Sequence, residues 1–504
     1  MSNRLATFIA FALATTVAGG VFAQPPAAPA AKAETKGPSG DREPQMSVTH
    51  HSGTFNGQRV NYTATAGEIF LRADNGTPRA AIAYTSYIRE PRDPSRPVTF
   101  LFNGGPGSGS VWLHMGAFGP RRVAIPSNGT DDGAPPYPIV PNPDSLLDVT
   151  DLVFIDPVGT GFSHALGDTN PQDFWGVTAD ARSIAQFIRL WLNDNGRWNS
   201  PKFLGGESYG TTRSAAVLNQ LEGQYNDVSL NGVILISTVL DFGAGADTPG
   251  NEMTHVLNLP SMAATALFHG RAQASSVEAF VEEARRWAMG PYLHALVQGT
   301  ALPQEERLTV RRELARFTGL SEEYLERADL RVTPARFYRE LLRDRGLSVG
   351  RLDARYTGRD YDSAGEEPDN DPSFYGIDGG YTAAINQHMR EVLGFRTDRS
   401  YVTIGQVGPW DWRLGQGRDS DAYLNVAPYI GRALRENSGL RIFVGQGYYD
   451  FATPFFAAEY SLSRTGIPRD RISWHYYGSG HMMYVRDDDR AALSRDVRAF
   501  IQGR

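Results

Sequence analysis

The sequence predicts an α/β fold: a mostly parallel central sheet flanked by helices, with a helical insertion on top. Three observations point there. Short, continuously apolar runs such as residues 98–102 and 152–155 read as strands buried on both faces. Segments of helical period lie between such runs, which is what parallel strands need for their crossovers. Residues 243–400 then break the rhythm, being helical and charged rather than alternating.

The elements follow in order. Residues 60–64, 68–73 and 80–87 read as short antiparallel lead-in strands, separated by the turn signals Asn56-Gly57, Ala66-Gly67 and Asn75-Gly76. The run at 98–102 ends in the Gly-rich loop Asn103-Gly104-Gly105-Pro106-Gly107. The run at 152–155 ends in Asp156-Pro157 and Gly159-Thr160-Gly161. Residues 178–193 have helical spacing, with Ala181, Ile184, Ala185 and Ile188 on one face. A short strand at 202–204, a helix at 214–221 and a buried strand at 232–237 come next. Within the insertion, Ser275 and Glu278 form a capping-box pattern, Ser321 opens another helix, and Thr333 is an N-cap before Pro334. Strands at 441–444 and 472–477 and a helix at 490–501 complete the pattern.

Composition narrows the function. The 504 residues are 41% hydrophobic and 21% charged, an ordinary globular balance. With 49 basic and 56 acidic residues the net charge is −7, which argues against a nucleic-acid partner. The absence of cysteine excludes disulfides, a cysteine nucleophile, thiolate-bound zinc and iron–sulfur clusters. Residues 1–23 read as an export signal: Arg4, an apolar stretch from Leu5 to Val17, and the small-residue cleavage signature Val21-Phe22-Ala23. No later segment is apolar over the length a bilayer requires. The expectation is an exported protein, periplasmic or extracellular, without stable membrane insertion. Residues 24–45 form a disordered Pro/Ala/Lys/Glu tether. The core is expected at 46–242 and 401–504, with the mainly helical cap at 243–400.

The chemistry begins at Gly206-Glu207-Ser208-Tyr209-Gly210, a G-x-S-x-G turn after a strand and before a helix. The glycines allow a sharp turn that lifts the Ser208 hydroxyl above the sheet. The Tyr209 N–H then points to where an oxyanion would form, at a helix N-terminus. A serine nucleophile needs a base, and the base an orienting acid, each following a later strand. His481, in the loop after the last strand, is the candidate base, whereas His475 lies inside that strand. Asp450, after the strand at 441–444, is the candidate acid. Asp241, Asp411, Asp419 and Asp421 are its competitors. The loop 103–107 could donate the second oxyanion hydrogen bond, and it lacks the lysine and spacing of a phosphate loop. No H-E-x-x-H is present, which argues against a metal hydrolase, and Asp487-Asp488-Asp489 suits a helix start; no cofactor is implied.

Asn103–Ser110, Gly159–Ser163, Gly206–Gly210, Gly447–Asp450 and Gly480-His481 together resemble the serine carboxypeptidase family, in that family's order. The resemblance implies an α/β-hydrolase fold with a helical cap. It implies Ser208 as nucleophile, His481 as base, Asp450 as its orienter, and the N–H groups of Gly105 and Tyr209 as the oxyanion hole. It also implies that Asn103 and Glu207 hold the C-terminal carboxylate of a peptide substrate. Such a site brings two carboxylates together, so binding should weaken as pH rises and Glu207 ionises. The sequence departs from the family's pattern at Ser108, where a disulfide-forming Cys is usual, at Phe102 in place of Trp, and in Tyr209-Gly210-Thr211-Thr212-Arg213, where Tyr-Ala-Gly is usual.

The leading expectation is therefore an exported serine-type carboxypeptidase. The alternative on the same fold is a serine esterase or acyltransferase, which has no need of a carboxylate anchor. A binding protein without activity has no need of Ser208, Asp450 and His481. Trp410, Trp412, Tyr448 and Tyr449 are candidates for lining the cleft or for packing within the core.

Overall fold

The computed structural model describes residues 42–223, 225, 227–414, 423–464 and 466–504. The expected export signal, most of the tether, and Asp419 and Asp421 lie outside the described residues. Arg42, near the end of the expected tether, is paired with Glu68 through two hydrogen bonds of 2.6 and 2.9 Å.

A ten-stranded sheet forms the centre. Its main strands are β1 (Met46–Phe55), β2 (Gln58–Arg72), β3 (Pro78–Glu90), β4 (Val98–Phe102), β5 (Asp151–Ile155), β6 (Lys202–Ser208), β7 (Gly232–Thr238), β8 (Arg441–Gly447) and β9 (Ile472–Tyr477). They lie in the order β1-β2-β3-β5-β4-β6-β7-β8-β9. The first three run antiparallel as a lead-in, and β3 meets β5 antiparallel. From β5 to β9 every neighbour is parallel. The longer helices that position the site are α1 (Val177–Asn195), α2 (Tyr209–Leu221), α3 (Glu252–Phe268), α4 (Val277–Trp287), α5 (Gln304–Thr318), α6 (Ala427–Glu436) and α7 (Asp487–Ile501).

Period-two alternation puts the two faces of the sheet into different cores. Phe100, Val233 and Leu235 join the α1, α2 and α6 residues Ile184, Leu218 and Ile430 on one side. Leu101, Ile234 and Ile236 join Leu113, Met115 and the α7 residues Leu493 and Val497 on the other. A third core belongs to the insertion, where Leu257, Phe280, Leu314 and Phe337 enclose Tyr448, Phe451 and Phe455. Later residues of the insertion, Tyr381, Ile385 and Met389, pack with the second sheet-face core instead. The insertion also carries a two-residue hairpin pair, Ser348–Val349 with Thr357–Gly358.

Three local expectations change, and one strand, β1, is additional to them. Ala66-Gly67 is not a turn, because β2 runs unbroken past it, with Gly67 paired to Met46 on one side and Tyr84 on the other. A Cβ at Gly67 would lie 3.3 Å from the Gln45 carbonyl oxygen, so the glycine serves close backbone approach rather than a bend. The strand β1 gave no signal because its polar residues alternate only between exposed and half-buried positions at the sheet edge. The strand at 202–204 extends to Ser208, since Gly205 and Gly206 are there to admit neighbours: a Cβ on Gly206 would lie 2.1 Å from the Gly210 carbonyl oxygen. In the cap, Ser276 rather than Ser275 is the N-cap of α4, its hydroxyl accepting from the Ala279 N–H.

Candidate active site

Strand β6 ends in the turn expected of G-x-S-x-G. Ser208 has φ 60° and ψ −131°, a conformation that a side chain adopts only at about 1–3 kcal/mol of strain. The Tyr209 N–H opens α2. Three bonds hold the turn: the Thr211 hydroxyl donates to the Ser208 carbonyl at 2.7 Å, the Thr212 hydroxyl donates to the Val239 carbonyl at 2.7 Å, and the Val239 N–H donates to the Thr211 hydroxyl at 2.9 Å. The Thr211-Thr212 pair thus ties the elbow to the segment that follows β7.

The loop after β4 lies against this turn. Gly105 has φ +100°, and a Cβ on Gly104 would lie 2.5 Å from the Tyr209 nitrogen. Only glycine at 104 lets the two segments approach so closely, which places the loop carrying the Gly105 N–H beside the Tyr209 N–H.

Asp450 and His481 are brought together from the loops after β8 and β9. His481 Nδ1 is 2.8 Å from Asp450 Oδ2. Asp450 also accepts from the N–H groups of Ala452 and Thr453, at 2.8 and 3.0 Å, and from the Thr453 hydroxyl at 2.6 Å. The competitors are elsewhere. Asp241 caps a short helix and takes a bond from Asn425, and Asp411 is paired with Arg413. His475 stacks on Phe443 and faces Asp496. The His481 loop is anchored by its own backbone: His481 N–H donates to the Leu352 carbonyl of the insertion at 2.6 Å, and the Ser237 hydroxyl donates to the His481 carbonyl at 2.5 Å. No hydrogen bond joins the Ser208 hydroxyl to His481 among the described residues, and such bonds are commonly long until a substrate tightens them. Burial alone would lower the His481 pKa. The Asp450 charge and hydrogen bond, with a smaller contribution from Glu207, outweigh it, so the pKa lies above 6.5.

Next to the serine, Glu207 is 4% exposed. Its Oε1 accepts from Asn103 Nδ2 at 3.0 Å, and its Oε2 accepts from the Tyr484 hydroxyl at 2.7 Å. Asn103 is fixed in turn, its Oδ1 accepting from the Leu113 N–H at 3.1 Å. Desolvation pushes the Glu207 pKa up to about 7; the His481 charge and the bonds from Tyr484 and Asn103 pull it back without prevailing, and Asp450 adds to the rise. Tyr484 is a member of the site that sequence reasoning missed. Its only sequence signal was a place three residues after His481.

Trp410 and Trp412 are half-buried and pack edge-on against the Tyr209 ring, with centroids at 5.4 and 5.9 Å. Tyr448 and Tyr449, together with Phe268, Tyr476, Arg355 and Arg486, line a cavity of about 830 Å³ between the insertion and the ends of β8 and β9. Among the described residues no group of three or more His, Asp or Glu could hold a metal ion, and no helix is long and apolar enough to cross a membrane.

Residues 80–256 match the serine carboxypeptidase family. That stretch contains Asn103, Gly105, Glu207, Ser208 and Tyr209; Asp450 and His481 lie beyond it. Among curated proteins none matches the chain. Solved structures that are similar include a thioesterase domain from the curacin biosynthetic pathway, at 12% identity over 86% of this chain and 98% of that one, TM-score 0.34. A thermostable carboxyl esterase from Bacillus coagulans is similar at 12% identity over 86% and 97%, TM-score 0.34. A haloalkane dehalogenase from Bradyrhizobium elkani is similar at 12% identity over 91% and 98%, TM-score 0.32. The chain's own strand order, parallel from β5 to β9 with a strained serine turn at the end of β6, is that of an α/β-hydrolase.

Proposed function

We propose that this is an exported serine carboxypeptidase that removes single residues from the C-terminus of peptides through an acyl-enzyme. The observation that carries the reading is Glu207, buried one residue before the elbow serine and bonded to Asn103 and Tyr484. A hydrolase of simple esters needs no anchor for a terminal carboxylate. An exopeptidase does, because the substrate's free carboxylate must sit one residue from the scissile bond. Export rests on the leader pattern at residues 1–23.

On this reading the reaction runs in the following steps. A protonated Glu207 and the Asn103 amide hold the terminal carboxylate. Ser208 Oγ attacks the last peptide carbonyl while its proton passes to His481, and the Gly105 and Tyr209 N–H groups receive the developing oxyanion. The C–N bond breaks as His481 returns the proton to the departing amine. Water, deprotonated by His481, then attacks the acyl carbonyl, and the bond to Ser208 Oγ breaks as His481 returns the proton to that oxygen. Asp450 holds the His481 ring and balances the transient imidazolium.

A blocked pentapeptide, with a free or an amidated C-terminus, tests the reading by mass spectrometry. The free acid should shorten one residue at a time and the amide should remain intact. Hydrolysis of a simple ester with both peptides untouched would assign the chain to the esterases or acyltransferases instead.

The role of Tyr484 gives a second expectation. Its hydroxyl stabilises the ionised form of Glu207, so Tyr484→Phe lets Glu207 keep its proton to higher pH. Losing one hydrogen bond of about 1 kcal/mol corresponds to a rise of about half to one pH unit. The high-pH limb of kcat/KM for a free-acid peptide should move up by that amount. A limb that stays in place would remove Tyr484 from the carboxylate site.

A further inference from the structure

We infer that Arg213 is a positioning residue for the oxyanion hole, locking its two halves together from beneath; the inference rests on the serine-hydrolase reading of the elbow, not on which acyl group is cleaved.

Arg213 lies on α2, one turn beyond Ser208, with a side chain that is 0% exposed. Its Nε donates to Asp180 Oδ2 of α1 at 2.6 Å, and its Nη1 donates to the backbone carbonyl of Asn103 at 2.5 Å. The guanidinium carbon is 5.2 Å from the centre of the Phe102 ring and 5.1 Å from that of Tyr209. One buried cation therefore touches the end of β4, the first residue after the nucleophile, and α1.

Those are the segments that must be held in register. The oxyanion donors belong to different pieces of chain, Gly105 to the loop after β4 and Tyr209 to the elbow. The Asn103 carbonyl that Arg213 grips lies two residues before Gly105. The Tyr209 ring is held between Arg213 within and Trp410 and Trp412 outside. A buried charge is expensive to desolvate and is seldom the cheapest way to fill a core. Here a planar fork meets a carboxylate and a carbonyl at once, on two elements, and among the described residues the third nitrogen, Nη2, has no partner. Lysine would keep the charge but, lacking the fork, could not reach both acceptors in fixed geometry.

The test compares full-length wild type with Arg213→Lys on p-nitrophenyl butyrate, whose lack of a carboxylate makes it blind to Asn103 and Glu207. A peptide boronic acid is the second probe, since its tetrahedral adduct with Ser208 places an oxygen in the oxyanion position. Arg213→Lys should lower kcat about 100-fold with KM within about threefold, and should weaken boronic acid inhibition by a similar factor, while circular dichroism shows a folded protein. A folded variant with kcat within about threefold of wild type overturns the inference. So does a loss of kcat without a loss of boronic acid affinity, which would mark a merely structural effect. Should Arg213→Lys fail to fold, Asp180→Asn serves: it leaves the bond to the Asn103 carbonyl, and a smaller loss with the same split is expected, whereas an unchanged kcat overturns the inference. Wild type that cleaves the ester but no peptide would sink the carboxypeptidase reading and leave the Arg213 result standing.

Discussion

Ser208→Ala is expected to lower kcat on a free-acid peptide by about 10⁶-fold, the scale on which losing the nucleophile of a serine triad acts. The fold should not suffer. The strained backbone at Ser208 is set by Gly206 and Gly210 and by the bonds from Thr211 and Thr212, none of which uses the serine hydroxyl. The melting temperature should therefore stay within a degree or two. Because Asn103, Glu207 and Tyr484 are untouched, the variant should still bind free-acid peptides, and its Kd can be read by calorimetry. Residual activity within about 100-fold of wild type would place the nucleophile elsewhere.

Asp450→Asn is expected to lower kcat by about 10⁴-fold. Among the described residues the Asp450 carboxylate accepts four hydrogen bonds, from two backbone N–H groups, the Thr453 hydroxyl and His481 Nδ1. An amide cannot accept them all, since its NH2 must face a donor or turn His481 into the wrong tautomer. The pH profile carries a second signature. The Asp450 charge is what holds the His481 pKa above its ordinary value against burial, so the acidic limb of the residual activity should move to lower pH. Stopped assays from pH 4 to 8 would show it. A tenfold loss or less, with an unmoved limb, would exclude Asp450 as the partner of the base.

How much of this was legible in the sequence depends on how local each signal is. The buried strands, the strained turn at Ser208 and the loop carrying His481 are written in contiguous residues: apolar runs, glycine spacing and punctuation. Gly67 misled because a glycine admitting a neighbour looks the same as a glycine that bends the chain; only the neighbour decides. Tyr484 and Arg213 were not legible in their roles, because their partners lie far away in sequence. Tyr484 meets Glu207 across 277 residues, and Arg213 meets the Asn103 carbonyl across 110. No periodicity or spacing encodes such a meeting.

The proposed mechanism turns on the proton of Glu207. On the proposed reading the productive state has a proton on Glu207 and none on His481, and moving that proton to His481 would leave the same total charge but an inactive site. With Glu207 titrating near 7, its neutral form dominates below that value and its anion, which repels a substrate carboxylate, above it. An ester without a carboxylate senses only His481. The deciding measurement is the ratio of kcat/KM for a free-acid dipeptide to that for a matched methyl ester, followed from pH 5 to 9. The expected result is a plateau at low pH and a fall of about tenfold per pH unit above about 7, absent in Glu207→Gln. A ratio that is flat across the range in wild type would contradict it.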